Sequence, residues 1–170
     1  MGFYRSLRHK AQTWQSFSKS DRALLTQAML LLPVVATSLK TVGLRRTQSW
    51  LEKEAFASTG SATEQTRANV RRAAQMVATA CRQYPFRSDC LPRTIVLWSL
   101  LRHRGIDGNV RIGVRSDTQG EFQAHAWLEW NGEVINDAGD VAEQYLPFNR
   151  PALDRVELQS PVNSVAPPRG

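Results

Sequence analysis

Cysteine and histidine are scarce in this chain, and the scarcity narrows its chemistry. There are two cysteines, Cys81 and Cys90, and three histidines, His9, His103 and His125. No CxxC pair occurs, so the ligand spacing of a zinc or iron–sulfur site is missing, and neither a metal nor another cofactor is expected. No secretory signal is evident, which favours free thiols in a reduced, cytoplasmic setting over a disulfide framework. The longest apolar stretch, Ala23 to Leu39, is interrupted by Thr26, Gln27, Pro33, Thr37 and Ser38. It falls short of the roughly 20 apolar residues needed for a membrane span.

What is present fits one folded unit. The 170 residues, 42% of them hydrophobic, can bury one good core and not two large ones. The net charge of +7 is unevenly spread: residues 1–115 carry 19 Lys or Arg against 6 Asp or Glu, and residues 116–170 carry 3 against 9. A basic front portion attracts acidic peptides, anionic membranes or nucleic acids. The positives recur at helical intervals without an aromatic stripe or a nucleic-acid-binding motif, which argues against nucleic acid. Met1-Gly2-Phe3-Tyr4-Arg5-Ser6 matches the myristoylation pattern formally and is read as a chance match.

Three parts are expected: a helical segment over 1–60 belonging to the same compact unit, a core over 61–146, and an irregular proline-rich tail over 147–170. In the first, Ser20 and Asp21 offer N-caps before Leu24, Leu25, Ala28, Leu31, Leu32 and Val35, which recur at helical spacing. That helix should kink or end near Pro33. Its plain reading is a buried helix. The sharper reading, with Lys40, Arg45 and Arg46 nearby, is a surface that docks on a partner or a membrane interface. A polar break over 57–66 precedes a second helix from about Glu64 through Cys81. A third runs from about 90 to 104, marked by Ser88-Asp89, Pro92 in its first turn and Arg102-His103-Arg104-Gly105 at its end. Beyond Gly105 the period changes to two, and Asn131-Gly132 between Ala124–Trp130 and Glu133–Asp137 signals a hairpin. The fold class is therefore α+β, with an antiparallel sheet packed on the helix that starts at Cys90.

A thiol at a helix N-terminus is where a nucleophile is expected, since the unpaired N–H groups and the dipole stabilise a thiolate and can also receive an oxyanion. Alone, Cys90 reads more readily as a small buried hydrophobe. His125 shifts the balance, because it lies on a strand between two small alanines and its ring must take one defined face. An acid on the following strand, Asp137, can then hold the ring in a productive tautomer. Strict pairing about a two-residue Asn131-Gly132 turn sets Asn136, not Asp137, on the His125 face. A three-residue loop with a glycine bulge reverses this. Asn136 is accordingly the second choice for the orienting residue. His9 and His103 fit structural or surface roles. Gln83, Tyr84 and Arg87 are near Cys90 in sequence, which is weak ground for assigning them to the site.

The order of these residues resembles the transglutaminase-like superfamily. More closely, Cys90-Leu91-Pro92-Arg93-Thr94, Leu100-Leu101-Arg102-His103-Arg104-Gly105-Ile106, Ile112-Gly113-Val114, Ala124-His125-Ala126-Trp127-Leu128-Glu129 and Val134-Ile135-Asn136-Asp137 resemble the protease component of lasso-peptide biosynthesis over about 65–140. The front segment with Gly43-Leu44-Arg45-Arg46-Thr47 is similar more weakly. The resemblance implies a transglutaminase-like, papain-like core and a cytoplasmic endopeptidase that removes the leader from a ribosomally made precursor through a Cys90-His125-Asp137 triad. Implied partners are the precursor, a separate small leader-recognition protein and an ATP-dependent macrolactam synthetase, with no nucleic acid and membrane contact less favoured. The alternatives are another amidase or acyltransferase working through the same acyl-enzyme, or a non-catalytic peptide-binding scaffold subunit.

Overall fold

A computed structural model of the chain describes residues 17–52, 63–84, 89–116 and 120–147. The elements are α1 (Lys19–Thr41), α2 (Gly43–Glu52), α3 (Glu64–Gln83), α4 (Cys90–Arg102), β1 (Asn109–Ser116), β2 (Phe122–Trp130), β3 (Glu133–Val134), α5 (Val141–Gln144) and β4 (Leu146–Pro147). Most of the expected polar break at 57–66, the tail beyond Pro147 and Arg87 lie outside the described residues.

α1 differs from its sequence reading at both ends. Ser18, not Ser20 or Asp21, is the N-cap, and Asp21 sits three residues into the helix and closes a capping box. The Ser18 side chain accepts from the Asp21 N–H while the Asp21 carboxylate accepts from the Ser18 N–H. The helix also continues past Pro33 to Thr41, so it does not end there. Proline removes one backbone donor, and the carbonyl it leaves unpaired belongs to Met29, an exposed residue on the outer face. At 23 residues, α1 is long and apolar enough to cross a membrane on length and composition alone. Its Leu24, Leu25, Ala28, Leu32 and Val35 face is nevertheless buried, packed against α3 and α4. Asp21, itself buried, pairs with Arg72 of α3 and joins the two helices.

α4 is the central element. Every residue from Thr94 to Leu101 is buried, because α1 and α3 cover it on one side and β2 on the other. The four strands lie in the order β3-β2-β1-β4, antiparallel throughout. Val110, Leu128 and Trp130 turn inward to the shared core. Gly113 lies opposite His125, so the two residues share the other face of the sheet. That face carries Trp127 and is covered by Tyr145 from the α5–β4 strap. A Cβ at Gly113 would lie 2.9 Å from both Trp127 and Tyr145 atoms, so the strap needs glycine there.

Candidate active site

The β2–β3 turn is the two-residue form. Asn131 and Gly132 have φ of 50° and 80°, the positive pair that a type I′ turn requires, and Trp130 faces Glu133. Of the two alternatives the strict turn is the one formed, and no bulge in it moves Asp137. The ladder instead stops early. The Ile135 N–H still donates to the Leu128 carbonyl at 2.9 Å, but the Leu128 N–H goes to the Asn136 side-chain oxygen at 2.7 Å, where regular pairing would use the Ile135 carbonyl. One step further, the Ala126 carbonyl accepts from the Thr94 hydroxyl of α4 at 3.0 Å. The Asn136 amide then donates to Thr94 Oγ1 at 2.8 Å. Side chains thus finish the edge of β2, and the chain leaves the sheet after Ile135.

That departure decides which residue meets the imidazole. The His125 Nε2–H donates to Asp137 Oδ2 at 2.7 Å, and the same oxygen accepts from Arg93 Nη2 at 2.9 Å. Oδ1 accepts from the Ala138 N–H. Asn136 is committed to Leu128 and Thr94, which explains why it does not serve the ring. Burial pushes the Asp137 carboxyl upward. The hydrogen bonds from His125 and Ala138, with the charges of His125 and Arg93, outweigh it and hold its pKa below the usual carboxylate value. With Nε2 engaged by a carboxylate, which only accepts, Nδ1 is the ring nitrogen left for a second partner.

Cys90 is the first residue of α4, half-buried and not in a disulfide. Asp89 is the N-cap but makes no side-chain cap bond, and Pro92 has no N–H. The unpaired donors of the first turn inside the helix are therefore the Cys90 and Leu91 amides. Arg93 and Thr94 follow Cys90 by three and four residues, so all three share one side of the helix. Arg93 is tied to Asp137 and Thr94 to the Ala126 carbonyl, next to His125. The start of α4 is thereby anchored at the open edge of β2. His125 and Asp137 are brought into direct contact, and Cys90 is linked to them through its own helix.

The ring plane of His125 is also held. Tyr145 stacks on it with centroids 5.0 Å apart and Trp127 at 6.4 Å, while Arg115 covers Tyr145 at 4.7 Å. The sequence reading missed Arg93, Thr94 and Tyr145. Helical spacing from Cys90 was the available signal for the first two, and Tyr145 had none. Of the residues not assigned to the site, Gln83 ends α3 and Tyr84 caps it. His103 lies at the far end of α4 and donates through Nδ1 to the Ser99 carbonyl. Among the described residues no cluster of three or more His, Cys, Asp or Glu is arranged to hold a metal.

Comparison with known proteins agrees with this architecture. A stretch of 59 residues, 35% of this chain, is 41% identical to the microcin J25-processing protein McjB of Escherichia coli, and spans 27% of that protein's length. No solved structure matches the chain. The family model for the transglutaminase-like superfamily matches residues 29–150, which takes in α4, the sheet, the hydrogen-bonded His125–Asp137 pair and much of α1. That match covers well over half of the chain, and the chain belongs to the transglutaminase-like superfamily.

Proposed function

We propose that the chain is a cysteine endopeptidase that removes the leader from a lasso-peptide precursor, in the cytoplasm, with Cys90 as nucleophile, His125 as base and Asp137 as the residue orienting His125. The observation that carries the reading is the His125–Asp137 hydrogen bond, which commits Nε2 and frees Nδ1. Its anchoring to the Cys90 helix through Arg93 adds support. The partial likeness to a microcin J25-processing protein supports the substrate class.

In this mechanism Nδ1 of His125 takes the Cys90 thiol proton as sulfur attacks the scissile carbonyl. The oxyanion of the tetrahedral intermediate is received by the Cys90 and Leu91 amides. Collapse breaks the C–N bond, and the leaving amine, the new N-terminus of the core peptide, takes the proton from His125. The leader fragment remains as a thioester on Cys90. Water then attacks, giving a proton to His125, and the thiol departs and is reprotonated, leaving a free leader carboxylate. The Asp137 carboxylate stays ionised and stabilises the imidazolium formed in both steps. A separate recognition protein would present the leader, and an ATP-dependent synthetase would close the ring on the released core.

The test is cleavage of the precursor peptide encoded beside the gene, with the neighbouring recognition protein present, followed by mass spectrometry. Wild type should release intact leader and core, and Cys90→Ala should lose roughly a thousandfold or more in rate. Equal cleavage by the variant, or none by folded wild type, would overturn the reading in favour of a non-catalytic binding subunit. Products joined to an added amine in place of water would identify an acyltransferase.

A further inference from the structure

At the far end of α4 from Cys90, a groove of about 790 Å³ opens between α1, α2 and α4. Ser99 and Leu100 on its wall follow Cys90 by nine and ten residues, about 14 Å along the helix axis, so the groove is separate from the candidate active site. Its walls include Leu30, Leu31, Trp50 and Leu100. Leu30 is 67% exposed and Trp50 is 49% exposed. Of the seven exposed large hydrophobic residues among the described ones, five fall between Met29 and Trp50. Of these, Leu30 and Trp50 line the groove beside Leu31 and Leu100, and exposed apolar surface gathered in this way marks a place where something binds.

The polar groups in the groove define what that is. The Ser99 hydroxyl is buried and has no hydrogen-bond partner among the described residues, a cost that a ligand group can relieve. Arg104 gives its guanidinium to two neutral acceptors, the Leu100 carbonyl and Gln27 Oε1, and no acidic residue among the described ones lines the groove. Burial without a counter-ion lowers the Arg104 pKa. His103 stands beside it, and Lys40, Arg45 and Arg46 add positive charge on the same two helices. An apolar trough with uncompensated positive charge is complementary to an acidic amphipathic segment. Its concave shape suits protruding side chains better than the plane of a lipid surface.

We propose that this groove is a docking site for a peptide segment that presents apolar side chains three or four residues apart next to a carboxylate, with the apolar side chains between Leu30 and Trp50 and the carboxylate on Arg104. The site is used for binding, away from the chemistry, and its occupancy does not depend on Cys90.

The test is selection of a displayed library of random 12-residue peptides on the full chain, then anisotropy titration of the enriched sequences. Enriched peptides should combine spaced apolar residues with an acid. Leu30→Glu and Arg104→Glu should each weaken their binding by about tenfold or more, Arg104→Lys should retain most of it, and Phe122→Ser, on the sheet, should leave it unchanged. Leu30 is exposed and the bond from Arg104 to the Leu100 carbonyl is partly buried, and melting curves will show that the variants fold. The proposal is overturned if no peptide is enriched, if enriched peptides lack acids, or if both groove variants bind as wild type. Leu30-dependent sedimentation with phosphatidylglycerol vesicles in the absence of any enriched peptide would make the patch a membrane contact instead. A gain in peptide binding on truncation after Pro147 would identify the chain's own segment Leu153 to Leu158, which carries Asp154 and Glu157, as the occupant and overturn docking of a separate peptide.

Discussion

The two edges of β2 are built on different principles. Toward β1, eight residue pairs run from Asn109↔Glu129 to Ser116↔Phe122 without interruption. Toward β3 there are two pairs, one further backbone bond, and then side chains: Asn136 on the Leu128 amide and Thr94 on the Ala126 carbonyl. A regular ladder satisfies backbone groups without regard to side-chain identity, so it supplies rigidity. An edge completed by side chains depends on particular residues, and it lets the chain turn away where Asp137 can reach His125. The rigid edge holds the ring's strand in place, and the irregular edge brings up the acid and the helix that begins at Cys90.

Several changes would break or sharpen that contrast. The largest effect is expected from His125→Ala, which should lower leader cleavage by about a thousandfold or more in a quenched-flow or mass-spectrometric assay and leave the melting temperature close to wild type. Gly113→Ala attacks the regular edge, where the new Cβ would crowd Trp127 and Tyr145 at 2.9 Å. Overpacking of this kind costs about 1–3 kcal/mol, visible in a denaturant titration, and it should loosen the strap that stacks Tyr145 on His125. Thr94→Val attacks the irregular edge by leaving the Ala126 carbonyl and the Asn136 amide each short of a partner, at about 1–2 kcal/mol.

The smallest effect is in pH. Asp137 is held below the usual carboxylate value as described above, and Asp21 is lowered by its Arg72 hydrogen bond first and its Ser18 bonds after, against the opposing effect of burial. A carboxyl depressed in the folded state contributes stability that is complete above its unfolded pKa, about 3.9, and is lost as pH falls through the folded value. The melting temperature should therefore be flat from neutrality to about pH 5 and decline below about pH 4. In Asp21→Asn that acid decline should be smaller, and stability at pH 7 lower, because the capping carboxylate and the Arg72 partner are already gone.

Much of this was legible in the chain itself. Asp89, Pro92, Arg102 and Gly105 mark the limits of α4 and so place Cys90 at its start. Asn131-Gly132 dictates the turn, and the change of period after Gly105 gives the sheet. These signals are local, and local physics produced them. The choice between Asp137 and Asn136 was not legible, because it depends on a hydrogen bond between residues 42 positions apart, Asn136 to Thr94. Register rules extrapolated from the turn assume a ladder that continues, and here a side chain ends it. Arg93 was visible in the quoted motif but silent about its partner, which reaches it only when β3 stops. Pro33 shows the limit of a local rule: it does not end α1, whose buried face continues beyond it to Val35.

The side-by-side comparison of Asp137→Ala and Asn136→Ala tests the central claim most directly, with leader-cleavage rate and thermal melting measured on both. The account predicts that they separate. Asp137→Ala should lose about 10³–10⁴-fold in rate while its melting temperature stays within a few degrees of wild type. Asn136→Ala should lose about 1–3 kcal/mol of stability while the folded fraction keeps a rate within about tenfold of wild type. The reverse pattern, with Asn136→Ala the inactive variant and Asp137→Ala still cutting the precursor, would contradict it.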